Sequence, residues 1–474
     1  MKKNRFLCAL MAAMMILGIV AVGAQPKVRL VLKDLDTDPN TPQFIQLIEK
    51  GMAAAGTPVK IEVVKVPSGN YAEKISLMIM SGDIPDIIYF QGGDDKIAMQ
   101  GILEDLRPYI NNSKYLKNVL DPHSKARLEN YPYLVWVAPP RVRAPVMRKD
   151  WFDSLPSAKA LVAKPTVDAY YTLFKDLVQK KGAQYGISIT GATNGAEELD
   201  SIFDGAFGIT STWMKGSDGR WVYCRVTPNE KEKLAFYAKL YKEGLLDPEY
   251  LTKKWDTKEQ VFYEGKAGMV AGIAPGSIDV YVNKMMKSQN TSLVPLPPPA
   301  GKAQGLGPFV DVIKESRGFA IPVTSKVKDE AFAVLDFMWS PAGLKIAKLG
   351  IPGVHYIEES NRYVLTDRYP EWYNGWFGDS FNGFNPDKPL SRSIMTAPAV
   401  EAGKLAVKYM MPDKTFMIPE QYITNWDAMT NLYKEYEADI ITGKKPLSAF
   451  DEFVQKWYAA GGTELTKYAQ TKLK

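Results

Sequence analysis

Residues 28–90 alternate three short apolar runs with two amphipathic segments, and no other feature of the chain restricts its fold as strongly. The apolar runs are rich in β-branched and aromatic residues, which predicts strands at residues 28–32, 61–66 and 85–90. The segments between them carry apolar residues at helical spacing, which predicts helices beginning at Thr41 and Asn70. The order strand, helix, strand, helix, strand requires a parallel sheet covered by helices, so we predict an α/β fold.

The loops after the first and third predicted strands are the first candidate site, because ligands of parallel sheets bind beyond the carboxyl ends of the strands. The polar candidates in these loops are Asp34, Asp36, Gln91, Asp94 and Asp95. Asp34 and Asp36 have an alternative role in forming a turn, since Asp tolerates turn conformations. Asp94 and Asp95 have an alternative role in capping a helix.

Residues 363–385 form the most unusual segment, with Trp and Phe residues set among Gly and Asn. Such a segment can present flat apolar faces in a cleft, and its candidates are Trp372, Trp376 and Phe377. The alternative is a small satellite core under a lid. Both interpretations stay open at the level of the sequence.

Four further candidates lie outside these segments. Trp136 falls in an irregular stretch rich in proline and aromatic residues, residues 131–148, which we interpret as a crossing between two lobes. It either faces a cleft or packs in a hinge. Trp213 and Trp255 lie in connections of the second lobe, and Arg317 precedes a predicted strand, where it suits either a bidentate contact to ligand or a surface salt bridge.

The remaining hydrophobic pattern predicts more helices and strands. The helices are predicted at residues 167–180, 230–243 and 329–339, and the strands at residues 266–273 and 318–322. Near the end of the chain, Ser448 and Asp451 resemble a capping box and predict a helix start with Phe450 and Phe453 on its apolar face.

Composition excludes several classes of function. The chain has two His and two Cys, and neither His has a second ligand at metal-binding spacing, so we expect no zinc or iron site and no His-based catalytic triad. Lys residues are scattered among Asp and Glu, so a nucleic-acid-binding stripe is not predicted. Repeats typical of a structural surface protein are also missing.

The first 24 residues have the pattern of an export signal. Lys2, Lys3 and Arg5 precede a long apolar run that ends in small residues, so we expect cleavage after Ala24. Removing these three cations lowers the net charge from +6 to +3. An uncleaved membrane anchor is the alternative, because the run is nearly long enough to span a bilayer. Cys8 lies inside the apolar run, so no lipid-attachment site is evident.

Seven segments resemble those of one protein family, extracellular solute-binding proteins of family 1, which serve ATP-driven importers. The segments are NYAEKISLMIMSGDIPDIIYF (70–90), GILEDLRPYI (101–110), APVMRKDWFDSL (144–155), KEGLLDPEYL (242–251), YEGKAGMV (263–270), IPGVHYIEESNRYVLTD (351–367) and IITGKKPLSAFDEFVQKWYAAGG (440–462). They are most similar to the branch for oligosaccharide or polysaccharide-fragment uptake. The similarity covers nearly all of the chain after residue 24.

The resemblance implies a two-lobed periplasmic-binding-protein fold, type II-like, in which each lobe is a sheet flanked by helices and a ligand cleft lies between the lobes. We expect lobe 1 at residues 25–135 plus about 318–395, and lobe 2 at about 136–317 plus about 396–474. The chain departs from many relatives at residues 181–184, where KGAQ replaces an Asp- and Asn-rich loop, so a calcium site is not expected there.

The implied function is an exported, non-enzymatic receptor that captures a carbohydrate by lobe closure and delivers it to the permease subunits of an ABC importer in the inner membrane. We expect a periplasmic monomer without cofactor, metal or nucleic acid. Sugars offer C–H faces and hydroxyl edges, which suit aromatic, carboxylate, amide and Arg side chains. A peptide or another polar solute is the alternative ligand. A glycoside hydrolase with Asp36 and Asp94 as its carboxyl pair is a further alternative.

Overall fold

The computed structural model describes residues 25–66, 71–138, 140–192, 195–310, 317–372, 384 and 386–473, with the side chains of residues 95 and 96 left out. The chain divides into two compact units. Unit 1 comprises Met1–Pro139 and Ser316–Ser391, and unit 2 comprises Pro140–Glu315 and Arg392–Lys474. Helices and strands are numbered below along the whole chain.

A four-stranded sheet forms the centre of unit 1. Its strands are β1 (Lys27–Val31), β2 (Lys60–Val63), β3 (Ile87–Gln91) and β11 (Arg317–Ala320), in the order β11-β3-β1-β2. β1 runs parallel to both β2 and β3, which confirms the predicted parallel arrangement. β11 pairs antiparallel with β3. Strands from the first part of the chain therefore share one sheet with β11, which follows the first segment of unit 2.

Eight helices surround this sheet in the described part of unit 1. They are α1 (Thr41–Ala54), α2 (Tyr71–Met80), α3 (Asp94–Met99), α4 (Arg107–Asn112), α5 (Leu116–Val119), α6 (Pro122–Asn130), α14 (Lys328–Met338) and α15 (Pro341–Leu349). In α1 the buried residues Phe44, Ile48 and Met52 recur at helical spacing, and proline stands in its first turn, as the sequence predicts. A short hairpin of β12 (Tyr356–Glu358) and β13 (Tyr363–Leu365) completes the described part of the unit.

A second four-stranded sheet forms the centre of unit 2. Its strands are β5 (Tyr185–Ile187), β8 (Ala267–Ala274), β4 (Val142–Arg148) and β9 (Leu293–Pro295), in that order. β5 runs parallel to β8, whereas β4 runs antiparallel to β8 and β9. The prediction that residues 131–148 are irregular throughout is therefore wrong for their last seven residues. Pro145 and three arginines hide the strand pattern, although six residues of β4 pair with β8.

The helices of unit 2 cover this sheet and build a separate aromatic core. They are α7 (Lys149–Ser154), α8 (Pro156–Ala163), α9 (Val167–Lys181), α10 (Glu197–Phe203), α11 (Pro228–Lys242), α12 (Trp255–Tyr263), α13 (Gly276–Gln289), α16 (Ala397–Tyr409), α17 (Ile423–Ile441), α18 (Ala449–Trp457) and α19 (Thr463–Lys472). Two small sheets pair β6 (Trp213–Lys215) with β7 (Trp221–Tyr223), and β10 (Leu306–Val310) with β14 (Met410–Pro412).

The predicted capping box at Ser448 is wrong, although the helix does begin at the next residue. Ser448 has helical dihedral angles, φ −63° and ψ −22°, and its side chain caps nothing. A capping residue needs an extended backbone so that its hydroxyl can reach the amides of the first turn. The apolar face of α18 is as predicted, with Phe450, Phe453 and Trp457 buried.

Within the described part of the chain, none of the helices combines the length and the hydrophobicity that crossing a membrane would need.

Candidate functional site

The carboxyl ends of β1 and β3 and the start of β11 form one edge of the unit 1 sheet, which we call the unit 1 edge. The antiparallel register places Arg317 opposite Gln91, so the first residue of β11 lies beside the last residue of β3. Asp34 and Asp36 follow β1 at the same edge. The fold thus brings together an amide, a guanidinium and two carboxylates from three separate chain segments.

An aromatic layer lies within this edge. The ring centroid of Tyr89 is 5.2 Å from that of Trp136 and 5.1 Å from that of Phe319. The Tyr89 hydroxyl accepts a hydrogen bond of 3.2 Å from Gln91 Nε2. The Tyr71 hydroxyl donates to the Tyr89 carbonyl over 2.8 Å, and burial with the negative charges nearby raises the pKa of Tyr71. Tyr89 of β3 therefore forms hydrogen bonds with the side chains of both Gln91 and Tyr71.

Asp34 and Asp36 occupy the turn that follows β1. Asp34 is exposed and has a positive φ of 66°, and its carbonyl accepts from the Thr37 hydroxyl over 3.2 Å. Turn formation, the alternative raised by the sequence, thus describes the backbone of Asp34. Its carboxylate and that of Asp36 lie close enough to Tyr71 to affect its pKa, so both are at the edge.

Asp94 is fully buried in the first turn of α3, where Tyr133 donates its hydroxyl to Asp94 Oδ2 over 3.1 Å. Gly93 holds the capping position of that helix, with no side-chain cap. The Asp94 carboxylate is therefore enclosed in unit 1, where it binds the Tyr133 hydroxyl. The side chain of Asp95 is outside the described residues.

Arg127 fastens the two other candidates of unit 1. Its guanidinium donates to the carbonyl of Arg317 over 2.6 Å and to that of Trp136 over 2.9 Å. The indole N–H of Trp136 is buried and has no hydrogen-bond partner among the described residues. Trp136 belongs to unit 1 and is 5% exposed, and it packs against Tyr89 of β3 and Phe319 of β11, so its ring is part of the core of that unit.

The corresponding edge of unit 2 carries a network of paired charges. We call it the unit 2 edge: it comprises the segment after β5, the start of β4 and the first turns of α10 and α12. Arg143 of β4 forms an ion pair of 2.6 Å with Glu197, the first residue of α10. Burial lowers the pKa of Arg143, and Glu197 and Glu198 more than offset it, so that its pKa is raised.

Glu198 links three chain segments at this edge. One of its carboxylate oxygens accepts from the Thr190 amide over 3.1 Å, and the other lies 3.1 Å from Lys258 Nζ. Lys258 is buried on α12, and one turn before it Trp255 is 65% exposed. The residues just before α12 run beside the segment after β5, because the amides of Gly191 and Ala192 donate to carbonyls of residues 250 and 253. Trp255 therefore has a largely exposed side chain on the helix that carries Lys258.

Two other aromatic candidates are enclosed by their own units. Trp213 is 1% exposed and stacks on Phe416 at 5.4 Å, inside the core of unit 2. Trp372 is 4% exposed, packs edge-on against Phe44 and donates its indole N–H to the Ala347 carbonyl over 2.8 Å. Neither offers an open ring face, and Trp372 is part of the main core of unit 1. Trp376 and Phe377 lie outside the described residues.

Sequence reasoning missed the polar residues of the unit 2 edge, Arg143, Glu197, Glu198 and Lys258. A usable signal existed for part of it. The strand predicted at residues 266–273 overlaps β8 in all but its first residue. Because ligands of such sheets bind beyond the carboxyl ends of the strands, this strand points to the unit 2 edge. β5 has only three residues and β4 contains a proline, so neither strand was recognisable.

The described residues contain no group of three or more His, Cys, Asp or Glu side chains arranged to hold a metal ion. The charges at the unit 2 edge are instead matched by hydrogen bonds and ion pairs. Such an arrangement suits reversible binding of a polar ligand, since the donors and acceptors are fixed before the ligand arrives.

Comparison with known proteins gives one family. The model for the bacterial extracellular solute-binding protein family matches residues 37–345. Lipoprotein LipO of Bacillus subtilis is 22% identical, covering 86% of this chain and 85% of that protein. The polygalacturonan/rhamnogalacturonan-binding protein YtcQ of the same species is also 22% identical, covering 86% of this chain and 84% of that protein.

Solved structures share the fold at lower identity. The N-glycan transport solute-binding protein NgtS of Streptococcus pneumoniae superposes with a TM-score of 0.70 at 16% identity. The match covers 94% of this chain and 98% of that one. At this level of identity the similarity establishes the architecture, an α/β fold of the two-lobed kind, and the predicted fold class is confirmed.

Proposed function

The chain belongs to the bacterial extracellular solute-binding proteins, which bind solutes for import and are not enzymes, and from that premise we propose that it captures an oligosaccharide for an ABC importer. The proposed contacts are the unit 1 edge and the unit 2 edge. Delivery to permease subunits of the importer follows from the family. The glycoside hydrolase considered from the sequence is set aside, because the family is non-enzymatic.

The observation that carries the proposal is the exposed Trp255 in the first turn of α12, the helix whose Lys258 pairs with Glu198 at the unit 2 edge. An open indole face gives the C–H face of a sugar ring an apolar surface, and fixed charges beside it bind the hydroxyls at the ring edge. The unit 1 edge offers the same polar chemistry through Gln91, Arg317 and Asp36. Peptide binding would call for a row of free backbone donors and acceptors. The contacts proposed at the two edges come instead from side chains.

The relatives support a carbohydrate of more than one residue. YtcQ is named for binding polygalacturonan and rhamnogalacturonan, and NgtS for N-glycan transport. Among the site candidates, we retain Asp34, Asp36, Gln91, Trp255 and Arg317 as proposed contacts. Asp94 is retained as a support for Tyr133, and Trp136, which is 5% exposed, as part of the core on which the unit 1 edge rests. Capture by lobe closure and a monomeric state stay predictions that solution scattering with and without ligand would test.

A thermal-shift screen tests the proposed function. Residues 25–474 would be measured against oligogalacturonides, N-glycan oligosaccharides and gluco-oligosaccharides, with peptides and amino acids as controls. A ligand that binds only the folded chain adds about 2.7 kcal/mol at a hundredfold excess over its Kd, which raises Tm. We expect one class of sugar to raise Tm and to be recovered without degradation. A rise with peptides alone would contradict the proposal.

Substitution at Trp255 tests the proposed aromatic contact. Trp255→Ala is expected to weaken sugar binding about tenfold, because losing an aromatic contact removes about 1.4 kcal/mol. The Tm of the unliganded chain should hold, since the side chain is 65% exposed. Trp255→Phe keeps a ring face and is expected to keep most of the affinity, measured by isothermal titration calorimetry. Equal affinity of the Ala variant and the wild type would remove Trp255 from the site.

A further inference from the structure

The hydroxyl of Tyr433 in unit 2 lies between two buried carboxylates and has one proton to donate. Its oxygen is 2.8 Å from Glu230 Oε1 and 2.9 Å from Glu437 Oε1. Burial raises the pKa of Tyr433 well above its ordinary value, so the hydroxyl keeps its proton. Both contacts can be hydrogen bonds only if one carboxyl group supplies the second proton.

The ion pairs assign that proton to Glu437. Glu230 Oε2 lies 3.0 Å from Arg225 and 3.1 Å from Lys233, so Glu230 is held as a carboxylate. Glu437 forms no ion pair among the described residues and is 2% exposed. Burial, together with the charge of Asp200, raises its pKa to about 8. The Tyr433 hydroxyl thus donates to Glu230, and the Glu437 carboxyl donates to Tyr433.

The groups facing Glu437 come from every element around it, and their formal charges are nearly balanced without it. They are Asp200 of α10, Glu230 and Lys233 of α11, Tyr433 of its own helix and Tyr250 before α12. Arg225 and Lys233 together bind Asp200, Asp204 and Glu230. Two cations already face three anions, so a fourth anion at Glu437 would be uncompensated.

The second oxygen of Glu437 holds the chain just before α10. Glu437 Oε2 accepts a hydrogen bond of 3.1 Å from the Ala196 amide, which is 241 residues away in sequence. Gly195 makes this approach possible, because a Cβ there would lie 2.1 Å from that oxygen. Its φ of 59° also favours glycine. Glu197, which pairs with Arg143 at the unit 2 edge, is the next residue after Ala196.

We propose that protonated Glu437 is a positioning residue of the unit 2 edge, holding Ala196 so that Glu197 and Glu198 meet Arg143 and Thr190 in the geometry that binds ligand. This inference rests on the proposed function. Ionised Glu437 still accepts from the Ala196 amide, but it no longer donates to Tyr433, and its buried charge repels Asp200 of α10. This repulsion displaces the start of α10. Ligand affinity therefore falls as pH rises through the pKa of about 8.

Three variants test the inference by calorimetry at about pH 7 and pH 9.5, with oligogalacturonides and N-glycan oligosaccharides titrated separately. Glu437→Ala is expected to weaken binding at least tenfold. Glu437→Gln stays neutral at every pH, so it should bind like the wild type at pH 7 and lose the decline at pH 9.5. Glu452→Gln is the matched control, because Glu452 also bonds a tyrosine hydroxyl but lies on α18. It should keep the wild-type affinity and pH profile.

Two readouts do not depend on ligand. The infrared band of a protonated carboxyl should disappear on titration above pH 8 in the wild type and be missing in Glu437→Gln. Hydrogen exchange of peptides covering residues 195–203 should accelerate in Glu437→Ala and recover in Glu437→Gln. Unchanged exchange in the Ala variant, or a Gln variant no better than Ala, would overturn the inference.

Failure of the two proposals can be told apart. A wild type that binds none of the sugars overturns the proposed function, and the inference that rests on it falls as well. Hydrogen exchange then still decides whether Glu437 fixes this segment. Sugar binding that is unaffected by Glu437→Ala keeps the proposed function and overturns the positioning role alone.

Discussion

His355 is a histidine whose neutral form is required by its neighbours. It is buried in unit 1, and its Nδ1 accepts a hydrogen bond of 3.0 Å from the Ile351 amide. Its ring packs on Trp372, with centroids 5.0 Å apart. A proton on Nδ1 would face an amide that already donates to that atom. Burial, with Arg368 nearby, accordingly lowers the pKa of His355.

We predict that His355 reduces stability in acid. Because its folded-state pKa lies below the unfolded value of about 6.5, the unfolded chain takes up a proton first. The free energy of unfolding therefore falls as pH drops below about 6.5, by at most about 1.4 kcal/mol per pH unit. His355→Asn offers an oxygen to the same amide and should remove this slope in urea unfolding curves. His123→Gln is the control and should keep it; a slope retained in His355→Asn would contradict the prediction.

Helices α5 and α14 show how an element can depend on a distant acid. Asp336 of α14 accepts hydrogen bonds from three consecutive amides, those of Lys114, Tyr115 and Leu116, over 2.8–3.0 Å. These amides open α5, a helix of four residues whose own sequence contains no capping side chain. Ser113 Oγ accepts from the Lys117 amide over 2.9 Å, and the Asp336 carboxylate supplies the partner for the three amides before it.

We predict that Asp336→Ala lowers the free energy of unfolding by about 2–3 kcal/mol, since a charged acceptor is lost and three amides lose their partner. Asp329→Ala, an exposed acid in the first turn of the same helix, should cost less than about 1 kcal/mol. Chemical denaturation of both variants measures the difference. Equal losses of unfolding free energy in the two variants would mean that the hydrogen bonds from Asp336 to the amides at the start of α5 contribute nothing beyond the removal of one acid from α14.

At the scale of the whole molecule, the first 24 residues carry the pattern of an export signal. We predict that expression of the full chain in a double-membraned bacterium yields a periplasmic protein that begins at Gln25, measured by intact mass. Cys8→Ala should change neither the intact mass of the mature protein nor the cell fraction that contains it, because Cys8 lies inside the apolar run. A full-length product in the membrane fraction would show an uncleaved anchor. Incorporated lipid would show an anchor of the kind that the name of LipO describes.

Local patterns were sufficient for the first five helices and strands of unit 1. The strands and helices of residues 27–91 follow from apolar spacing, and the carboxyl ends of β1 and β3 lie where the sequence predicts them. Short or interrupted elements were not predictable in the same way. β4 contains Pro145 and β5 has three residues, and both depend on pairing with β8 for their stability.

The sequence by itself determined the α/β class, the family and the two loops of the unit 1 edge, because each depends on periodicity or motif within a short stretch of chain. Tertiary structure alone decided which tryptophans are open. Trp213 and Trp255 are equally apolar in sequence, yet one is 1% and the other 65% exposed. It also placed Arg317 opposite Gln91 and Glu437 against Ala196. Such contacts join residues that are far apart in sequence, so local propensities do not predict them.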